Sequence, residues 1–502
     1  MSNVRSSSGS GGLPVAETPV SALSAVAQGV RGGLERLAEP TGGALSFLPL
    51  ALALLVMLAL SSWQMVWATS DVTRYECYGL AFWFGGQAHA LAPQIDCSFL
   101  PARAEKLPPL HTLPIEYPPL TLILFTPGLL VPSAYYPLVF GLLMALAALL
   151  IYWLLLRWGP RGAALAFTCY LFLGEWGLAL LRFDLVPAAL TLLCVLAAER
   201  RHWTAAYSAL ALAILLKIYP FLLLPPLFFA EQQAARATSI TGAQGAARAT
   251  MGISGRVAQA LSWLRRCHWR NLLLCLALVL GTTGVFALLD FQGAVASQLA
   301  YFAQRPVQIE SSGTLVIWLA ALVGQTVRVA YTYGSINLLS PLVPAVSLGS
   351  TLALLAGYGL VLWQSARGRL AFAEASLAAL LVFVATGKVF SPQYLMWLMP
   401  LVAYLTATQR RWLLWFGLIA LQTSLIYPFL YTRVQDATQV WRVPGFLPLV
   451  ELRNLLFLLL TVGYLFNALG LRRRSAPRLV AQAAQGGERA ATRSIREAEG
   501  RR

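Results

Sequence analysis

The sequence predicts an all-α polytopic membrane protein, and three observations carry that prediction. The 502 residues are 58% hydrophobic and only 11% charged, a composition that ordinary soluble domains do not show. Apolar runs recur along the chain, and the first, from about Ala44 to Ala68, is long enough to cross ~30 Å of hydrocarbon at ~1.5 Å per residue. Basic residues gather in small groups between these runs and not along one amphipathic face. The net charge of +17 therefore reads as positive-inside topology and not as a nucleic-acid partner.

The first forty or so residues form a polar tail rich in Ser, Gly and Ala that carries Arg5, Arg31 and Arg36. The tail is too long for the n-region of a secretory signal, and the apolar run after it is too long for an h-region. An uncleaved signal anchor with residues 1–44 as a disordered cytoplasmic tail is the expectation. Arginine groups then alternate with spans: Arg157/Arg161, Arg200/Arg201, a basic stretch over 231–270, Arg367/Arg369, Arg410/Arg411 and Arg472/Arg473/Arg474. If each group is cytoplasmic, an even number of crossings separates successive groups. Spans fall near 45–69, 134–156, 162–181, 185–199, 203–216, 218–230, 271–290, 342–364, 370–387, 393–408, 412–431 and 446–468. That makes about twelve transmembrane helices within a domain over 45–470, with both termini cytoplasmic and a basic tail over 471–502.

Two apolar stretches break the alternation if counted as crossings: PPLTLILFTPGLLV after Tyr117, interrupted by Pro127, and LVIWLAALVG from Leu315. Both are expected as helices lying in or dipping into the outer leaflet, the first of them within an extracytoplasmic loop over 70–133. The cytoplasmic loop over 231–270 repeats AARAT at 234 and 246 and ends in GRVAQALSWLRR, which reads as an amphipathic helix on the anionic inner leaflet.

This topology puts the five aspartates, Asp71, Asp96, Asp184, Asp290 and Asp436, and the three lysines, Lys106, Lys217 and Lys388, at the outer face. An ionised side chain at the bilayer centre costs roughly 2.5–3.5 kcal/mol on insertion scales. Asp71, Asp184, Lys217 and Lys388, each at the outer end of a span, are therefore expected to share a water-filled cavity, with Arg182 and Asp184 of RFDLVPAALTLL on a turn that faces it. The same face carries IEYPPL with Glu116 and Tyr117, LLKIYPF with Lys217, QRPVQIESSG with Arg305 and Glu310, and GKVFSPQYLMW with Lys388, Gln393 and Tyr394. The proline pair in IEYPPL stops a helix and directs the next segment.

The sequence has no Walker glycine loop, no HExxH, no CxxC pair and no GxSxG, so nucleotide hydrolysis, zinc proteolysis and esterase chemistry have no support. Cations beside a lipid-accessible slot suit a phosphate carried on a lipid, and a carboxylate suits removal of a proton from a sugar hydroxyl. Cys77 and Cys97 share the first outer loop, where an oxidising exterior would permit a disulfide; Cys169, Cys194, Cys267 and Cys275 read as small apolar residues.

The order SDVTRYECYG, EYPPL, RFDLVPAAL, LKIYPFLLLP, RPVQIES, GKVFSPQYLMWLMPL and ELRNLLFL resembles glycosyltransferase family 87 over roughly 60–470. That family holds bacterial mannosyl- and arabinofuranosyltransferases of the type C glycosyltransferase fold. The resemblance implies an integral enzyme of the bacterial plasma membrane. It would move a sugar, mannose above all, from a polyprenyl-phosphate donor to a glycolipid or glycan acceptor on the extracytoplasmic side, with inversion. It implies Asp71 as the base that deprotonates the acceptor. Arg182, Lys217, Arg305 and Lys388 would be the cations facing the lipid phosphate, and Glu116, Asp184, Glu310, Gln393 and Tyr394 would shape the sugar pockets. One departure is that YFAQRP lacks the histidine such proteins often carry before the RP arginine, so that its role is either absent or supplied by His89 or His111. Asp71, Asp184 and Glu310 are a set that could hold a divalent cation, but with several basic residues present a site without metal or other cofactor is expected. An arabinofuranosyltransferase, a lipid-linked sugar flippase and a non-catalytic scaffold are the competing classes. A flippase should show repeat symmetry and midplane charges, and the sequence shows neither.

Overall fold

In the computed structural model the described residues are 43–67, 71–101, 104, 106–240 and 267–470. The first tail, the stretch containing the second AARAT repeat and GRVAQALSWLRR, and the last tail lie outside them. Helices of eight residues or more are numbered here in chain order. They are α1 Leu48–Trp67, α2 Asp71–Phe84, α3 Tyr136–Trp158, α4 Ala163–Glu175, α5 Leu185–Glu199, α6 Trp203–Leu216, α7 Leu224–Ile240, α8 Arg270–Leu289, α9 Ser297–Gln304, α10 Thr314–Leu322, α11 Val343–Ala366, α12 Phe372–Thr386, α13 Tyr394–Thr406, α14 Arg410–Ser424 and α15 Phe446–Gly470. Among the described residues, six helical segments are long and apolar enough to cross a membrane: Ala44–Ser62, Ser133–Trp158, Arg270–Leu289, Val343–Ala366, Arg410–Arg433 and Phe446–Phe466. α4, α5, α6, α12 and α13 are shorter apolar helices.

Their sequences explain their places. α5 and α6 are rich in alanine, pack against each other and are buried on nearly every side, because small side chains let helices approach closely where both faces are apolar. α12 and α13 are buried in the same way and complete the centre. α8 and α11 instead expose leucines along much of their length, Leu280, Leu288, Leu348 and Leu355 among them, as helices facing lipid do.

Polar contacts between helices sort into two layers. Beside the Arg200/Arg201 and Arg367/Arg369 groups, Thr204 bonds Asn271, Asn271 bonds Glu231, and Gln233 bonds the Ser365 carbonyl. Four ion pairs, Asp71–Arg182, Arg74–Glu116, Asp184–Lys217 and Glu310–Arg453, lie at the opposite end. The arginine alternation had put these two sets of residues on different faces.

Several segments depart from the sequence expectations. The helix expected over 162–181 stops at Glu175, and turns follow to Asp184. The expected span over 218–230 begins as a 3-10 turn, Tyr219–Leu223, and then continues as helix to Ile240, ten residues into the expected loop. Pro220 sits in the first turn of this element, where its missing N–H costs no helical hydrogen bond.

The described residues are mostly helical, as expected of an all-α membrane protein, with one small addition that the sequence did not announce. A three-stranded antiparallel sheet, in the order β1 Val307–Gln308, β3 Ser335–Leu339, β2 Arg328–Thr332, forms at the ion-pair end. RVAYT and SINLL are rich in β-branched and aromatic residues, and Tyr333 (φ 50°) and Gly334 (φ 65°) form the tight turn that a two-residue hairpin needs. The sheet, α10 and the start of α15 share a small core of Val307, Ile309, Ile317, Leu338, Val440 and Phe446. PPLTLILFTPGLLV forms short helical pieces, Pro119–Thr121, Leu122–Phe125 and Pro127–Leu130. Cys77 and Cys97 are joined by a disulfide that ties α2 to the loop after it.

Candidate active site

α2 opens at Asp71, so its first two turns aim polar side chains at the chain segments around it. Asp71 pairs with Arg182, and Arg74, three residues on along the same face, pairs with Glu116. Arg74 also reaches the Tyr331 hydroxyl at 3.2 Å and lies 4.6 Å over the Phe99 ring. Next to Arg74, Tyr75 is wholly buried, stacked 4.5 Å from Phe125 and edge-on to Phe183 and Tyr117. This aromatic knot fixes the roll of α2, and with it the directions in which Asp71 and Arg74 point.

The turn before α5 and the break after α6 supply the next pair. Lys217 Nζ donates to Asp184 Oδ1 at 2.6 Å, and the indole N–H of Trp397 donates to the same oxygen at 2.6 Å. Asp184 is fully buried, and these two donors satisfy its Oδ1 while Oδ2 is buried without a hydrogen-bond partner. The Lys217 ammonium lies 4.6 Å over Phe183 and 5.3 Å over Trp397, whose indole is stacked between Tyr219 at 4.2 Å and Tyr394 at 3.9 Å.

Arg305 ends α9 and lies 5.1 Å from the ring of Tyr301; it makes no ion pair among the described residues. Gln308 holds the neighbouring loop by accepting from the Phe390 N–H and donating its own N–H to the Lys388 carbonyl, both at 2.9 Å. The Lys388 ammonium, 3.3 Å from the Ala303 carbonyl, is pulled below its usual value by burial and by the like charge of Arg305.

A cavity of about 200 Å³ lies among these elements, lined by Glu116, Tyr117, Arg182, Lys217, Arg305, Gln393 and Tyr394 of the expected set, together with Tyr219, Tyr301 and Trp397. Asp71 stands behind Arg182, and Asp184 behind Lys217. Lys388 lines an adjoining cavity of about 160 Å³ that shares Tyr301, Arg305 and Tyr394 and opens between α11 and α12.

Glu310 does not join them. It is buried against Arg453 at 3.0 Å and accepts from Tyr431 at 2.8 Å, so it braces α15 and lines no part of the cavity. Asp71, Asp184 and Glu310 each face a different cation and do not converge, so these three residues do not fit a shared divalent ion. His111 contacts the Pro109 carbonyl and is absent from the cavity wall, and the His89 side chain lies outside the described residues.

The sequence reading missed Arg74, Tyr219, Tyr301, Trp397 and Gln298. Arg74 was within reach, one helical turn after Asp71. Gln298 carries no local signal: its amide donates to the carbonyls of Pro114, Ile115 and Tyr117 at 3.1, 3.0 and 2.8 Å, and so clamps the segment bearing Glu116. Gly334 closes the other side of that segment. A Cβ on it would sit 2.9 Å from Glu116 Oε1 and 3.2 Å from Arg74 Nη1. Burial pushes the Glu116 carboxyl above the usual carboxylate range, against the opposing pull of Arg74.

No family model matches the chain, and no curated protein matches it. A similar solved structure is the crystal structure of ArnT from Cupriavidus metallidurans in the apo state, at a TM-score of 0.35 and 14% identity over 83% of this chain and 76% of that one. The functional reading rests on the chemistry of the cavity itself.

Proposed function

We propose that the protein is an integral-membrane glycosyltransferase. It would transfer a sugar, mannose in the first instance, from a polyprenyl-phosphate donor to a glycolipid or glycan acceptor, at the extracytoplasmic face of a bacterial plasma membrane. The observation that carries this reading is one cavity in which three cations, Arg182, Lys217 and Arg305, face the same space as a carboxylate and a stacked aromatic wall. Guanidinium and ammonium groups suit a phosphate leaving group, and flat aromatic faces suit a sugar ring. The adjoining cavity beside Lys388, open between two apolar helices, suits the lipid end of the donor.

In the proposed reaction the acceptor hydroxyl loses its proton to Asp71, its oxygen bonds to the anomeric carbon, and the bond from that carbon to the phosphate oxygen breaks on the opposite side. The configuration inverts, and the polyprenyl phosphate leaves with its added charge facing Arg182, Lys217 and Arg305. The Asp71–Arg182 pair couples the two events, because a protonated Asp71 releases its hold on a guanidinium that faces the leaving group. Glu116 is the second reading for the base, since it lines the cavity directly and burial raises its proton affinity. No metal enters the scheme.

The test supplies membranes holding the full chain with radiolabelled polyprenyl-phosphate-mannose. A labelled glycolipid or glycan that is absent with empty membranes supports the reading. Movement of intact donor across the bilayer without transfer would replace it with a flippase, and transfer from the arabinofuranosyl donor alone would change the sugar.

A further inference from the structure

A further arginine-bearing recess at the ion-pair end shares no lining residue with either cavity of the candidate active site. It is a groove of about 780 Å³ between the end of the apolar segment Arg410–Arg433 and the start of the apolar segment at Phe446. Its apolar walls come from Phe429, Leu430, Val434 and Val443, and its charge from Arg433 and Arg442. Each guanidinium rests over a ring, Arg433 4.8 Å from Phe429 and Arg442 5.1 Å from Trp441, and neither makes an ion pair among the described residues. The nearby carboxylate of Asp436 is taken up by the Thr438 N–H at 2.9 Å and the Thr438 hydroxyl at 2.6 Å. Gln439 also lines the groove, and its side chain bonds the Asp436 carboxylate.

Two unpaired like charges facing one groove call for an anion. The apolar walls beneath them, at the level where two apolar segments emerge, call for an anion that carries hydrocarbon. We propose that this groove binds the headgroup of an anionic phospholipid of the phosphatidylglycerol kind. Arg433 and Arg442 hold the phosphate, and the acyl chains lie along Phe429 and Leu430. The site is independent of the proposed transferase reaction.

Native mass spectrometry of the purified full chain in detergent, with phosphatidylglycerol and phosphatidylcholine offered in equal amounts, tests this. Phosphatidylglycerol should be retained in preference, and the R433A/R442A variant should lose at least tenfold of that retention. R367A/R369A, which alters a pair at the other end of the molecule, should keep it. Should R433A/R442A fail to fold, the single variants R433Q and R442Q serve, each with a loss of about threefold. Equal retention of the two lipids, unchanged retention in a folded R433A/R442A protein, or displacement of the lipid by equimolar glycerol phosphate would each overturn the proposal, the last by showing a site for soluble phosphate.

Discussion

Lys217 and Trp397, 180 positions apart in the chain, donate to one and the same oxygen of Asp184, each at 2.6 Å. Removal of that oxygen strands a part-buried ammonium and a buried indole N–H together. Asp184→Ala should therefore destabilise the protein by about 3–5 kcal/mol, whereas Asp184→Ala with Lys217→Met should recover a good part of the loss, because no uncompensated charge remains. Thermal unfolding in detergent measures both. A double variant no more stable than the single one would mean that the pair is not a closed electrostatic unit.

Asp71→Asn keeps size and removes the basic oxygen, so transfer should fall ~10²–10⁴-fold while donor binding stays nearly intact. Glu116→Gln is the parallel variant and should fall less. The reverse order would move the base to Glu116, and full activity in both would end the catalytic reading of this loop.

Gly334 offers a cleaner probe of geometry. Gly334→Ala places a methyl group against Glu116 and Arg74, and displacement of reacting groups by about 1 Å can cost 10²-fold in turnover. Gly324 shares the left-handed backbone at φ +91° but has open space around it. Both alanine variants should lose about 1–2 kcal/mol of stability from backbone strain. Only Gly334→Ala should lose turnover, and an equal loss in Gly324→Ala would assign the effect to strain alone.

Glu76, on α2, is driven by burial from its ordinary value of 4.5 to about 7, with Ser133 opposing in part. The folded protein thus holds this proton more tightly than the unfolded chain. Its stabilising effect is fully present below about pH 4.5 and is lost as the pH rises through about 7. Glu76→Gln should match the wild-type stability near pH 4.5 and exceed it at pH 8 by up to about 3 kcal/mol, at ~1.4 kcal/mol per unit. Parallel stability profiles for the two proteins across that range would refute this.

Composition and periodicity were enough to place the helices, because an apolar run of a given length has few alternatives in a membrane and arginine groups mark its ends. The helices α3, α5, α6, α8, α11, α12 and α13 begin and end within a few residues of the expected spans. RFDLVPAAL and LLKIYPF were recognisable as sites because a charge inside an apolar chain is costly, and the cost shows in sequence. The β-hairpin was not recognisable in this way. Its strands are five residues long and sit between apolar helices whose stronger signal covers them.

The sequence by itself put Asp71, Arg182, Asp184 and Lys217 near the ends of spans, and Glu116 and Arg305 in the segments between spans, all toward one end of the bundle, since the alternation of spans decides the end each occupies. Only the tertiary structure decided the pairings: Asp71 with Arg182, Arg74 with Glu116, Lys217 with Asp184, and Glu310 withdrawn to Arg453. The reason is physical. Which end a residue occupies follows from local hydrophobicity, but which cation meets which carboxylate depends on distances of a few ångströms. The rotation of α2 about Tyr75, the clamp of Gln298 and the glycine turn at 334 set those distances, and all of them arise from contacts far apart in the chain.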